Sequence, residues 1–98
     1  MNKKDDAFFD RADKHIRVAN EHLSETSAGK VSASMMYGTA RFNAFISACG
    51  FKSAEEMKEA TEVTVEYFVG EYEKMLRENL EDYIENFNKY MIADSAEE

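Results

Sequence analysis

Proline is absent from all 98 residues, and glycine occurs only four times. Without proline no residue obliges a helix to break, so long uninterrupted helices are the simplest reading. A single cysteine, Cys49, excludes an internal disulfide and points to a reducing compartment. No stretch approaches the roughly 20 apolar residues of a membrane span. The opening Met1-Asn2-Lys3-Lys4-Asp5-Asp6 lacks the apolar run of a signal peptide. The cytoplasm is therefore the expected location. Basic residues are scarce in the second half. Residues 53–98 carry four Lys+Arg against fourteen Asp+Glu, net −10, whereas residues 1–52 carry eight against six, net +2. Such a balance repels nucleic acid and anionic membranes. It leaves a solvated acidic face, or a surface that meets a basic protein partner.

Apolar material is plentiful. The hydrophobic fraction is 44%, with seven Phe and five Tyr, which argues against disorder although 33% of residues are charged. A chain of this length makes one domain over 1–98, and the expected fold is all-α: an antiparallel bundle of three helices with a long C-terminal helix. The first helix is predicted over 6–24, from Phe8, Phe9, Ala12, Ile16, Ala19 and Leu23 at steps of three and four. Asp5 or Asp6 is its expected cap, and Glu25 to Gly29 reads as a turn. The second helix is predicted over 30–49, stopped by Gly50. Its only charged residue between Val31 and Phe51 is Arg41. Large groups (Met35, Met36, Phe42, Phe45, Ile46) alternate with small ones (Ala33, Ser34, Gly38, Ala40, Ala44). A helix apolar or small nearly all round is expected to be central and buried.

The third helix is predicted over 53–92, followed by a frayed tail over 93–98. Ser53 and Glu56 form a capping box at its start. Uninterrupted, it would be roughly 58 Å long against roughly 30 Å for each of the others. Half its apolar stripe (Leu76, Leu80, Tyr83, Ile84, Phe87 and Tyr90) would then lie beyond the reach of its companions. Either the helix breaks, near Gly70 or Asn79, or a second copy covers the excess. The absence of a turn signal favours the second outcome, a homodimer.

Chemistry is harder to read. An arginine in a buried helix needs an anionic partner. Hairpin register places Arg41 level with Asp13, with Asn20 nearby, and Glu62 and Glu66 are rival partners. If the cluster is more than an ion pair fixing register, Arg41, Asn43, Asn20, Asp13 and Tyr37 are the candidate anion or carboxylate site. His15 and His22 share an edge of the first helix, but their seven-residue spacing suits no single metal, and no Glu-x-x-His or Cys-x-x-Cys pattern accompanies them. Gly29-Lys30-Val31-Ser32 lacks the earlier glycine of a phosphate loop. No catalytic constellation and no cofactor motif emerge.

Three segments carry a resemblance. Arg11-Ala12-Asp13 with Ala19-Asn20-Glu21, Gly29 to Met35 running into Ala40 to Phe45, and Glu78 to Phe87 together resemble the bacterial domain of unknown function numbered 3144, over about residues 7–91. The resemblance implies bacterial origin and a compact helical protein, and carries over no catalytic residues. The expected role is a non-enzymatic, self-associating interaction module. The alternative is a small-molecule binder, or an enzyme of unrecognised type, built around Arg41.

Overall fold

The computed structural model describes residues 5–92, and among them every regular element is helical. The chain divides into two compact units, Met1–Gly50 and Phe51–Glu98. The first holds α1 (Phe8–His22) and α2 (Ala28–Ala48). The second holds α3 (Ala54–Glu59), α4 (Thr61–Glu85) and a final π-helical turn (Asn88–Ile92).

In the first unit α1 and α2 form an antiparallel hairpin. Asn20 and His22 close the end of α1, their carbonyls accepting from the amides of Leu23 and Glu25 at 3.1 and 2.9 Å. Ser27, in extended backbone, then caps α2: its hydroxyl accepts from the amide of Lys30 at 3.4 Å. The helix thus begins two residues before its predicted start. At the other end the Gly50 amide donates to the Ser47 carbonyl at 3.0 Å, so the predicted stop at glycine holds.

The start of α1 differs from expectation. Ala7 occupies the cap position without a side-chain hydrogen bond. Asp5 contributes its backbone carbonyl to the Phe8 amide at 3.0 Å, while its carboxylate pairs with Arg11 at 3.0 Å. The arginine six residues on outcompetes the helix end, because two charged hydrogen bonds are worth more than one to an amide. That pairing holds the Asp5 carboxyl below its ordinary value, through the hydrogen bond from Arg11 first.

In the second unit the capping box forms. The Ser53 hydroxyl accepts from the Glu56 amide at 3.1 Å, and the Glu56 carboxylate reaches back to the Lys52 amide at 2.7 Å. The long helix predicted over 53–92 is nonetheless interrupted, and at neither of the predicted places. The break falls at Ala60, whose φ and ψ of −94° and 7° leave the helical region. There the Thr61 hydroxyl donates to the freed carbonyl of Lys58 at 2.8 Å. A β-branched run (Thr61, Val63, Thr64, Val65) follows, and such residues lose rotamer freedom in a helix. Gly70 and Asn79 lie inside α4. Asn79 stays there by donating its side-chain amide to the Met75 carbonyl at 2.8 Å, one turn back. A second irregularity comes at Asn86 (φ −112°, ψ 27°), after which the ladder resumes with the Tyr90 amide on the Asn86 carbonyl at 2.9 Å. The predicted tail over 93–98 lies outside the described residues.

The expectation of a buried second helix also fails. Among the described residues Val31 is the only buried hydrophobic, at 6% exposure, and no polar residue is buried. Two helices touch along one line each, which leaves most of each cylinder to water.

A β-carbon at Gly70 would meet nothing within 4 Å. Gly70→Ala should therefore stabilise α4 by about 0.5–1 kcal/mol, seen as a higher urea midpoint with unchanged slope. Ser53→Ala should cost about 1 kcal/mol and speed hydrogen exchange at the Glu56 amide.

Candidate functional site

Two surfaces stand out, one in each unit. The first is a groove of about 900 Å³ between α1 and α2. From α1 it takes Arg11, His15, Val18, Ala19 and His22, spaced so that they fall on one side of the helix. From α2 it takes Val31, Ser34, Met35, Gly38, Thr39, Phe42 and Asn43. Small groups at Ala19, Ser34 and Gly38 keep the floor low, while Met35 and Phe42 supply apolar wall. The α1 side carries nitrogen bases and a guanidinium, and no carboxylate lines the groove.

This groove is not the cluster expected around Arg41. Asn43 lines it, whereas Arg41, Asp13, Asn20 and Tyr37 do not. Arg41 and Asp13 are both exposed, and the expected ion pair between them is absent. Arg41 makes no hydrogen bond or ion pair within its own unit among the described residues. The physical reason is the open surroundings of α2. An arginine with access to water needs no counter-charge, and the desolvation argument that demanded one does not apply. Asn20 is exposed and Tyr37 is 68% exposed.

Sequence reasoning passed over Arg11, His15 and His22 as groove residues. The signal was available: positions 11, 15, 18 and 22 step by four, three and four. The expected apolar stripe of α1 runs beside that row, and stripe-finding by hydrophobicity overlooks a face that carries an arginine and two histidines. Among the described residues no group of three or more His, Cys, Asp or Glu is placed to hold a metal ion.

The second surface is the apolar stripe of α4. Val65, Val69, Tyr72, Leu76, Leu80, Tyr83, Phe87 and Tyr90 follow at steps of four and three, continuing across Asn86 into the π turn. Leu76, Leu80, Tyr83, Ile84 and Phe87 are all exposed, Leu80 at 53% and Ile84 at 74%. Tyr90 is half-buried because it folds onto its own helix. Its ring lies 4.8 Å from that of Tyr83, and its hydroxyl donates to the Asp82 carboxylate at 3.1 Å. The bond to Asp82 pushes the Tyr90 phenol above its ordinary value, with partial desolvation adding in the same direction. Asn86 also donates to Asp82, at 2.9 Å. One carboxylate thereby gathers Asn86 and Tyr90 along the side of the helix where its regular ladder is disturbed.

No helix among the described residues is long and apolar enough to cross a membrane. A family model described as protein of unknown function (DUF3144) matches residues 8–84. Among solved structures, the NMR structure of the protein NB7890A from Shewanella sp. is similar, with 38% sequence identity and a TM-score of 0.75, covering 92% of this chain and 95% of that one. Among curated proteins nothing matches.

Two outcomes follow from this geometry. Arg41→Met should leave stability within about 0.5 kcal/mol, since nothing buried depends on the charge; a loss of several kcal/mol in a denaturant titration would show a paired, desolvated guanidinium instead. Tyr90 should release its proton above the ordinary tyrosine value of 10.0, and Asp82→Asn should bring it down in an ultraviolet difference titration. Because the folded-state value is raised, the stabilisation from this bond is complete below the unfolded tyrosine value and is lost as pH climbs through the folded one.

Proposed function

The chain belongs to the DUF3144 family of proteins of unknown function, and within that family we propose that it acts as a non-enzymatic, self-associating helical module of the bacterial cytoplasm. The observation that carries this reading is the uncovered stripe of α4. Fully burying a Leu, Ile or Phe side chain releases about 1.5–3 kcal/mol. Leu76, Leu80, Tyr83, Ile84, Phe87 and Tyr90 together therefore offer a large driving force to any partner that dries them. Exposed apolar surface on this scale, at helical spacing and rimmed by charge, marks an association face. A second copy presents the same face, and a two-fold dimer makes it self-complementary.

Stability does not come from a large core in either unit. This is the expected condition of a chain whose folded state is completed by association. The anion-site alternative around Arg41 has less behind it, since its residues are exposed and only Asn43 reaches the groove.

Sedimentation equilibrium at micromolar concentration is the test. The wild-type chain should sediment as a dimer. Leu80→Lys combined with Ile84→Lys should weaken association on the order of a hundredfold while helical circular dichroism is retained at high protein concentration. A wild-type chain that stays monomeric at micromolar concentration removes the reading.

A further inference from the structure

The disturbed end of α4 has an internal control seven residues earlier. Asn79 and Asn86 each stand four residues after one side chain and four residues before a tyrosine. The sets are Met75, Asn79 and Tyr83 in one case, and Asp82, Asn86 and Tyr90 in the other. Each asparagine donates its side-chain amide to the carbonyl four residues back, at 2.8 Å to Met75 and at 3.1 Å to Asp82. The backbone outcome nevertheless differs. Helix α4 runs on through Asn79, whereas Asn86 leaves helical angles and the π turn Asn88–Ile92 follows. An asparagine bonded in this way does not by itself disturb the helix.

What differs is the side chain one turn earlier. Met75 offers a thioether, which is a weak acceptor. The Asp82 carboxylate accepts from the Asn86 side-chain amide at 2.9 Å and from the Tyr90 hydroxyl at 3.1 and 3.3 Å. The Tyr90 ring is held from two further directions. The Tyr83 ring lies 4.8 Å away between centroids, and the Lys89 ammonium lies 6.0 Å from the centre of the Tyr90 ring. A hydrogen bond to a carboxylate is stronger than a neutral one, and an aromatic pair adds to it. In an unbroken α-helix, residues eight apart are separated by about 12 Å along the axis and about 80° around it. A turn laddered i→i+5 packs more residues into the same length, and so draws Tyr90 toward Asp82.

We propose that Asp82, Asn86 and Tyr90 form a clasp that selects the winding of the last turn. Closed, the clasp holds Asn88–Ile92 as a π turn; open, those residues rejoin α4 as ordinary α-helix. The two windings differ by about one residue per turn, so opening carries Ile92 roughly 100° around the axis. Phe87 precedes the turn and keeps its place. The clasp thereby decides which apolar side chains prolong the stripe beyond Phe87. It works within a single copy and stands whether or not the chain self-associates.

Two variants of the full chain test it. Asp82→Met converts the second set of residues into the first, and methionine is the better helix former. Tyr90→Phe removes the hydroxyl and keeps the ring. Scalar couplings across backbone hydrogen bonds identify the carbonyl that each amide engages. In the wild-type chain the last turn should couple to carbonyls five residues back. Both variants should lose those couplings and gain couplings to carbonyls four back, with the pattern of Thr61–Glu85 unchanged. If either variant keeps the five-residue pattern, the backbone sets the turn unaided and the inference is overturned. A last turn that frays in the variants, showing neither pattern, overturns it too, because the carboxylate then only staples a helix end. A wild-type chain already laddered four back does the same.

Discussion

The constraint on which everything else depends is the shortage of interior. The first unit is a pair of helices, the second a short helix, a long one and a π-helical turn, and helices so few meet along single lines of contact. Only one hydrophobic residue among those described, Val31, is removed from water. The sequence, however, is written with a generous allotment of large apolar side chains. The gap between the apolar surface a unit offers and what it can enclose explains why the conspicuous features of this chain are surfaces rather than pockets with chemistry in them.

The local backbone is well provided for despite the thin interior. Ser27 and Ser53 cap their helices, Glu56 closes a capping box, and the Thr61 hydroxyl takes up a carbonyl released at the break. Asn79 and Asn86 return their side-chain amides to carbonyls of the preceding turn. The ion pairs Lys74–Glu71 and Arg77–Glu73 join neighbours on α4, all exposed but the half-buried Glu71, and add little individually. Hydrogen bonding of this local kind makes helices of definite length, but it does not hold helices together. Holding helices together falls to apolar contact instead.

Charge divides the chain in the same way. The excess of carboxylates in residues 53–98 falls in the part of the chain that carries the longer apolar stripe. The first unit carries the modest positive balance, and on the α1 wall of its groove the Arg11 guanidinium is paired with the Asp5 carboxylate. An apolar face without such patterning would associate with any similar face.

How much was legible in the linear sequence follows from the range of each interaction. Periodicity, the Ser53 capping box and the glycine stop act within four residues, so an all-helical pattern with a start at Ser53 and an end near Gly50 was readable directly, whereas the Ser27 cap was read as part of a turn and the start of α2 placed two residues late. The stripe from Leu76 to Tyr90 was readable for the same reason. Burial is different, because it depends on which surfaces come to lie around a helix. Arg41 in an apolar helix looked desolvated, yet the tertiary structure leaves that helix open and the charge hydrated. The break at Ala60 was equally decided beyond the sequence pattern, where a marginal run of β-branched residues yielded at a point that neither proline nor glycine marked. The row of Arg11, His15 and His22 became a groove wall only when α2 was laid beside it, since a groove belongs to two helices and is written in neither alone.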